Sequence, residues 1–379
     1  MATMGSTPKA SARTEKWVAL LGRRDTPTDG VEDYCTFLGE ALEQHGVRLQ
    51  NVRVRWSEER WFRALRHLWR ESSGWRNGWV LLQYTAMGWS RRGFPFGALA
   101  ALTILRRRGL RTAVVFHEPF RQGGPRWIDH LRGVCQDWVV CKLYSGSTKA
   151  IFADPLETIP WLPRNESKAA FIPIGANIPA RQRESISPSN GNAKTIAIFC
   201  LSDPPNRERE LAEIVRAVKC ATESGLNARV VFMGRGTSEA SDDIKRAFHS
   251  VPVEVSDLGL QPANEVSRIL SEADAMLCVR GPLYPRRGSA IAAIACGLPI
   301  IAYAGAAEGT PLAEAGVELV PHADREALGI ALTRVLADHN AWRQLHEKSE
   351  LAHRRHFSWN VVASKVCESL SNHEDRAQE

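Results

Sequence analysis

The sequence predicts an α/β protein of two domains, each built on a doubly wound parallel sheet. Short apolar segments alternate with helical segments along the chain, and this alternation is typical of parallel sheets covered by helices on both faces. The alternation stops once, in the polar segment 180–192, ARQRESISPSNGN, which has the composition of a linker. With 379 residues, the chain is long enough for two domains that each bury a core.

The first domain is predicted to span residues 16–178, after a disordered tail at residues 1–15. That tail has no apolar segment and is not a signal peptide by composition. Strands are predicted at residues 17–22, 48–55, 79–84, 112–118, 149–154 and 169–175, and helices at residues 31–44, 59–71, 96–108 and 126–140. Each apolar segment is short and uninterrupted, as expected of strands buried on both faces.

The second domain is predicted at residues 194–356, after a linker at residues 179–193 and before a terminal helical segment at residues 357–379. Strands are predicted at residues 195–200, 228–234, 253–259, 275–279 and 299–303, and helices at residues 207–223, 241–248, 263–272, 290–296, 324–337 and 341–355. Ligands of such sheets bind beyond the carboxyl ends of the strands, so the two domains are expected to face a common cleft.

A phosphate site is predicted within residues 281–303, GPLYPRRGSAIAAIACGLPIIAY. Arg286 and Arg287 precede Gly288, and Ser289 is predicted to be the N-cap of a short helix beginning at Ala290. A helix N-terminus presents unpaired N–H groups and a positive dipole end, which attract anions. The two arginines strengthen this prediction.

A Gly-x-Gly turn at the end of the strand 228–234 forms a second candidate element. Gly234, Arg235 and Gly236 give a Gly-x-Gly turn in which backbone can approach a ligand closely. An ordinary tight turn explains the same pattern. The interpretation as a ligand site is favoured because residues 257–260 and 286–290 also fall at strand ends of this domain.

His117 and Glu118 end the predicted strand 112–118. An ionisable pair at the carboxyl end of a parallel strand occupies a ligand-facing position. A local hydrogen bond of a strand-end histidine is the alternative, and the sequence does not decide between them.

Residues 59–79, ERWFRALRHLWRESSGWRNGW, interleave aromatic and basic side chains. Such a helix can rest on an anionic membrane surface. A buried apolar face with a solvated arginine face is the commoner explanation. Arg106, Arg107 and Arg108 likewise have an ordinary explanation, since they end a helix and complement its dipole.

Composition and charge narrow the function classes. Hydrophobic residues make up 44% and charged residues 24% of the chain, which is globular composition. The net charge of +7 favours anionic partners. The eight cysteines form no CxxC pair, and no DxD, P-loop or HExxH motif is present, so we expect no metal and no cofactor. No apolar run is long enough to span a bilayer, so a cytoplasmic protein is expected.

Taken together, the motifs resemble the retaining GT-B glycosyltransferases of family 4. The segments that carry the resemblance, in chain order, are DGVEDY, LLQYTAMGWSRRGFPF, VVFHEPF, FIPIGANI, VVFMGRGT, VSDLGLQPANEVSRILSEADAMLCV, IACGLPIIA and HFSWNVVASKV. The resemblance implies two Rossmann-like domains facing a cleft, an acceptor in the first, a nucleotide sugar in the second, and a last helix that crosses back to the first domain. It also implies a nucleotide-sugar donor, a glycan, lipid-linked or small-molecule acceptor, and no nucleic acid.

The resemblance also assigns roles to individual residues. His117 is expected near the transferred sugar, as the catalytic residue, with Asp29 and Glu118 on the acceptor side. The donor-binding residues are expected to be Gly30, Arg207, Gly234, Arg235, Gly236, Leu260, Arg286, Arg287, Gly288, Ser289 and Ala290.

The chain departs from the family pattern at three positions. Tyr284 and Ala292 stand where the family has paired glutamates, and Leu201 stands where it has an arginine, with Arg207 or Arg209 as the nearest basic substitutes. The expected function is glycosyl transfer. The alternatives are a weakly active or inactive homologue that serves as a nucleotide- or glycan-binding partner subunit, and a sugar-nucleotide epimerase, which would need carboxylates in the cleft.

Overall fold

The structure, a computed structural model, describes residues 14–164, 167–181, 193–305 and 310–371. They form two compact units. One unit holds the chain up to Ile172 and again from Ala363, and the other runs from Pro173 to Val362. Most of the predicted linker, and the parts of the predicted terminal segments at residues 1–13 and 372–379, lie outside the described residues.

The first unit contains one six-stranded parallel sheet. Its strands are β1 (Glu15–Leu21), β2 (Val47–Arg53), β3 (Trp79–Tyr84), β4 (Arg111–Phe116), β5 (Lys149–Phe152) and β6 (Ala169–Phe171), and its helices are α1 (Gly30–Glu43), α2 (Trp61–Glu71), α3 (Phe96–Arg107) and α4 (Trp127–Gly146). The strand order is β2-β1-β3-β4-β5-β6. The order reverses between β1 and β3, which is the switch point where open α/β sheets bind ligands.

The second unit repeats this architecture. Its strands are β7 (Lys194–Phe199), β8 (Ala228–Met233), β9 (Glu254–Asp257), β10 (Ala275–Cys278), β11 (Ile300–Tyr303) and β12 (Val317–Val320), and its helices are α5 (Asn206–Glu223), α6 (Ser241–Phe248), α7 (Ala263–Glu272), α8 (Gly288–Ala295), α9 (Arg325–Ala337) and α10 (His339–Ala352). The strand order β12-β11-β10-β7-β8-β9 reverses between β7 and β10. A last helix, α11 (Trp359–Ser371), begins in the second unit and belongs to the first from Ala363 onward.

Both faces of the second sheet are covered. Ile196 and Ile198 of β7 point into one apolar cluster, whereas Ala197 between them points into another. Side chains alternate across a strand, so the uninterrupted apolar run of β7 requires helices on both sides. The predicted pair of doubly wound parallel sheets is confirmed.

One glycine contact and one hydrogen bond show how closely Trp359 packs against the segment before the second unit's sheet. A Cβ added at Gly175 would lie 2.5 Å from Cε2 of Trp359. The indole Nε1 of Trp359 donates to the carbonyl of Ala176 at 2.6 Å. The small residues of the segment FIPIGANI therefore admit this indole ring.

The structure differs from the predicted elements at some ends. Strand β4 ends at Phe116, so His117 and Glu118 lie in the following loop, and α4 continues to Gly146. Strand β12 was not predicted, because VELV at residues 317–320 is short, carries a glutamate and shows no clear period. Its partner is the fully buried β11, whose register pairs Ile300 with Val317.

Candidate functional site

In the second unit, the predicted donor-binding residues gather at the carboxyl ends of neighbouring strands. Strands β10, β7 and β8 are adjacent in the sheet. The loops that follow them carry Arg280, Leu201 and the Gly234–Gly236 turn, and α8 begins after the loop of β10. The strand order thus brings together residues that are far apart in sequence.

The glycine turn after β8 requires glycine at both positions. Gly234 and Gly236 have φ values of +95° and +82°, in the region that L-residues with a Cβ rarely adopt. A Cβ at Gly236 would lie 2.4 Å from the carbonyl oxygen of Leu201. The Gly234 N–H donates to the carbonyl of Gly259 at 2.7 Å, which joins this turn to the loop after β9.

The Gly236→Ala variant is expected to lower the free energy of unfolding by about 3 kcal/mol, because it adds a backbone clash to an unfavourable φ. Gly225→Ala is the matched control. Gly225 also has a positive φ, +86°, but a Cβ there meets nothing within 4 Å, so we expect a loss of about 1 kcal/mol. Urea denaturation measures both, and equal losses would contradict the clash.

Helix α8 begins two residues earlier than predicted. The Arg287 carbonyl accepts from the Ile291 N–H at 3.1 Å, so Arg287 is the N-cap and Gly288 is the first helical residue. The predicted N-cap Ser289 was therefore wrong. Gly288 is exposed, Ser289 is half-buried and Ala290 is buried.

Arg287 is buried, with 8% of its surface exposed. Its Nη2 donates to the carbonyl of Arg280 at 2.7 Å, and its guanidinium carbon lies 4.2 Å from the ring centroid of Tyr284. Its Nε forms no hydrogen bond with any described residue. A buried guanidinium N–H without a protein acceptor is costly.

Two further arginines extend the positive region. Arg280, which the sequence did not single out, is half-buried and its Nε donates to Ser202 Oγ at 3.4 Å. The guanidinium carbon of Arg286 lies 5.2 Å from the ring centroid of Tyr284. Two guanidinium groups are thus in cation–π contact with this ring.

The thiol of Cys200 lies within reach of several arginine charges of this region. Burial raises the pKa of Cys200, while the charges of Arg235, Arg280 and Arg287 act to lower it. Three arginines, one from the loop after β8 and two from the loop after β10, are therefore close enough to act on one group. We call Arg235, Arg280, Arg286 and Arg287 the arginine cluster.

Arg207 makes its contacts with residues outside the arginine cluster. Its guanidinium donates to the carbonyls of Ser202 and Glu239, both at 3.2 Å, and pairs with Asp243 at 3.4 Å. It thereby joins the loop after β7 to the segment before α6. Leu260, predicted to contact the base, is 48% exposed.

Ala292 and Leu201 are both buried. Ala292 is 3% exposed and packs within the apolar cluster around α8. Leu201 is 3% exposed and packs on the opposite side of the sheet. Neither of these departures from the family pattern thus presents an apolar side chain to the site surface.

In the first unit, Asp29 caps α1. Its Oδ1 accepts from the N–H groups of Val31 at 3.1 Å and Glu32 at 3.2 Å, and its Oδ2 lies 3.3 Å from Arg53 Nη2. Both carboxylate oxygens therefore hold the loop in place, and Gly30 is the first residue of the helix.

His117 lies just beyond β4, with Tyr34 and Gln83 around its ring. Its Nε2 is 2.8 Å from Gln83 Oε1, and the ring of Tyr34 meets it edge-on at 4.9 Å. The Gln83 amide nitrogen donates to the carbonyl of Leu81 at 3.3 Å. Gln83 Oε1 is therefore placed to accept a hydrogen bond from the imidazole in the tautomer that carries its proton on Nε2.

Glu118 is half-buried next to His117. Burial raises the pKa of the Tyr84 hydroxyl, and the negative charge of Glu118 acts in the same direction. The sequence predicted the His117–Glu118 pair but not Gln83, which is the one amide side chain of the fully buried strand β3. That isolated polar residue was the signal that could have identified it.

Helix α2 uses most of its aromatic residues for packing. The Trp61 ring stacks on Trp56 at 4.9 Å with an interplanar angle of 3°, and Leu68 is buried. Arg108 covers the Trp69 ring at 4.0 Å. Phe62 alone is largely exposed, at 82%. These contacts favour the buried-face interpretation of this segment.

Within the described ranges, no three His, Cys, Asp or Glu side chains are placed to hold a metal ion together. The same part of the chain contains no helix of the length and apolarity needed to cross a bilayer. All eight cysteines are free thiols.

No protein-family model matches the sequence, and no curated protein matches it. Solved structures do. HepE from Anabaena in complex with UDP and glucose aligns with a TM-score of 0.66 and 12% identity over 94% of this chain and 100% of that chain.

Two further structures give similar values. A glycosyltransferase from Rickettsia africae has a TM-score of 0.65 and 11% identity over 94% of this chain and 97% of its own. A putative UDP-N-acetylglucosamine 2-epimerase from Listeria monocytogenes has a TM-score of 0.61 and 11% identity over 96% and 97%. The likeness establishes the fold: this chain has the GT-B fold of two Rossmann-like domains.

Proposed function

We propose that this protein is a retaining, metal-independent glycosyltransferase that moves a sugar from a nucleotide-sugar donor to a hydroxyl acceptor. The arginine cluster beside the start of α8 carries the proposal, because it offers cationic donors at the carboxyl edge of a GT-B sheet. HepE has been crystallised with UDP and with UDP-glucose. UDP is therefore the first nucleotide to test.

The chemistry proposed for the arginine cluster is stabilisation of the leaving group. When the bond from the sugar to the diphosphate breaks, negative charge grows on the phosphate and the sugar becomes oxocarbenium-like. N–H groups already directed at the phosphate stabilise this state more than the ground state. Arg287 and Arg280, with the first N–H groups of α8, would supply that stabilisation without a divalent ion.

In the retaining mechanism that the family resemblance implies, the acceptor attacks from the side of the leaving group, and the departing phosphate takes the acceptor proton. The bond from the anomeric carbon to the phosphate oxygen breaks as the bond to the acceptor oxygen forms. His117 is proposed to contact the transferred sugar, with Glu118 on the acceptor side. The polarised Nε2–H that Gln83 orients gives His117 a fixed ring position.

Incubating the full chain with UDP-, GDP- and ADP-sugars and an acceptor panel tests the proposal. We expect release of one nucleoside diphosphate, with turnover unchanged by EDTA, and NMR of the product should show a retained anomeric configuration. Loss of activity in EDTA would contradict metal independence. A product with inverted anomeric configuration would contradict the retaining mechanism. Nucleotide binding without turnover would favour the partner-subunit alternative, and a changed sugar without nucleotide release would favour an epimerase.

A further inference from the structure

We propose that the outer face of α4 binds the surface of an anionic lipid bilayer. Four apolar side chains of this helix are exposed: Trp127 by 77%, Leu131 by 46%, Val134 by 50% and Trp138 by 50%. Their spacing of four, three and four residues places them on one stripe of the helix. At 1.5 Å per residue, the stripe is about 16 Å long.

The stripe is not part of the core. Helix α4 already packs its other side inward through Val139, Val140 and Leu143, which are at most 3% exposed. The ring of Phe96, on α3, is 48% exposed and lies 6.2 Å from the Trp138 ring. The exposed surface therefore continues from α4 onto α3 and forms an apolar patch that the fold itself does not use.

The acidic side chains beside the stripe are neutralised. Asp129 pairs with Arg132 at 2.9 Å, and Asp137 pairs with Arg121 at 3.4 Å. The negative charges of α4 near the stripe are thus each matched by an arginine.

The remaining charge around the stripe is positive. Arg92, Arg126 and Lys142 are exposed, and none of them pairs with a carboxylate among the described residues. Tryptophan and phenylalanine favour the bilayer interface, and nearby lysine and arginine residues are attracted to anionic headgroups.

Charge complementarity favours a bilayer over a second copy of the chain. In a two-fold dimer the same patch meets itself. The positive charges of Arg92, Arg126 and Lys142 on one copy would then face the same charges on the other. An anionic lipid surface instead neutralises the rim while its interface receives the aromatic rings. The exposed stripe on α4 fits this role better than α2, where Trp61 stacks on Trp56 and the 41% exposed Trp69 ring already contacts the Arg108 guanidinium.

Sedimentation of the full chain with lipid vesicles tests the proposal. Neither donor nor acceptor is added, so the outcome does not depend on catalysis. We expect binding to vesicles of phosphatidylcholine with phosphatidylglycerol and weak binding to phosphatidylcholine alone. Raising the salt from about 0.1 M to about 1 M shortens the screening length from about 10 Å to about 3 Å, and should release the protein.

The double variant Trp127→Ser/Trp138→Ser is expected to lower the partition coefficient by about 10-fold or more, with an unchanged far-ultraviolet circular dichroism spectrum. Ile330→Ser, at a 57% exposed position of α9 in the other unit, is the matched control and should bind as the unaltered chain does. Phe62→Ser tests α2 as the site.

Unchanged vesicle binding by the double variant would overturn the proposal, as would equal binding to neutral and anionic vesicles. Loss of binding in Phe62→Ser but not in the α4 variant would place the contact on α2. A dimer detected by light scattering that the α4 variant dissociates would show that the stripe is an interface between two copies, which also overturns it.

Discussion

The Arg287→Ala variant is expected to bind UDP about 10- to 100-fold more weakly than the unaltered protein, with a matching loss of turnover. Hydrogen bonds to charged groups contribute about 1.5–3 kcal/mol, which corresponds to this range of affinity. Arg287 is expected to matter most for UDP binding because it is buried, is held by the Arg280 carbonyl and Tyr284, and has an unsatisfied Nε. Isothermal titration calorimetry with UDP measures the change.

Two variants separate charge from geometry at this position. Arg287→Lys keeps the charge but loses the planar fork of donors, so we expect an affinity between those of Arg287→Ala and the unaltered chain. Arg343→Ala removes an exposed arginine of α10 in the same unit and is expected to change nothing. UDP affinity in Arg287→Ala equal to that in Arg343→Ala would remove Arg287 from the site.

Removing a buried arginine can also weaken the fold, so thermal unfolding must accompany the titration. The helix-capping contact of Arg287 uses its backbone carbonyl, which alanine retains. We therefore expect α8 to keep its N-terminus in the variant. Saturation at high UDP concentration would show that the site remains folded and only its affinity has changed.

The sequence was enough to predict the fold because the apolar runs are both short and regular. Strand β7, for example, is apolar at four consecutive positions, 196–199, and only a sheet with helices on both faces buries all of them. The end of a helix is less well determined. Ser289 is a good N-cap by residue type, yet α8 begins at Gly288, because the Arg287 carbonyl is already in position to accept from Ile291.

The candidate site was less predictable than the fold because it depends on which strands are neighbours. Arg280 follows β10 and Leu201 follows β7, and they approach because those strands pair. The sequence contains no local sign of that pairing. In the same way, Gln83 ends in contact with His117 because β3 and β4 are adjacent, with Tyr84 opposite Phe116.

Asp29 illustrates a different limit of prediction from sequence, because one residue type serves two structural uses. An Asp-Gly pair after a strand suits both a ligand site and a helix N-cap, and the structure engages both carboxylate oxygens within the protein. Residue type alone does not separate these two uses. The arginine cluster is easier to interpret as a ligand site. The contacts that Arg287 makes within the described residues leave its Nε without an acceptor.

The substitutions at Tyr284 and Ala292 have different structural meanings. Ala292 is inside the core of the second unit, so a side chain there has no route to a ligand without repacking α8. The ring of Tyr284 is in cation–π contact with the guanidinium groups of Arg286 and Arg287. At the position that the resemblance aligns with a glutamate, this chain therefore has an aromatic ring in contact with two arginines.

The His117→Ala variant is expected to lower turnover by about 10²- to 10³-fold, the loss typical of removing one positioned polar group from a reacting centre. UDP affinity should change little, because the arginine cluster lies in the other unit. Nucleotide-release kinetics with saturating donor, beside UDP titration, measure the two effects. His67→Ala, an exposed histidine of α2 with 54% of its side chain accessible, is the control.

Gln83 tests whether the imidazole must be oriented. Gln83→Leu removes the acceptor of the Nε2–H, whereas Gln83→Glu keeps an acceptor oxygen at the same reach. If Gln83 positions His117, the Glu variant should retain more turnover than the Leu variant, with the loss in kcat rather than in KM. If Gln83 only fills space, the order should reverse, because a buried carboxylate costs more than an apolar side chain of similar size. Full turnover in His117→Ala would instead place the reacting sugar away from this ring.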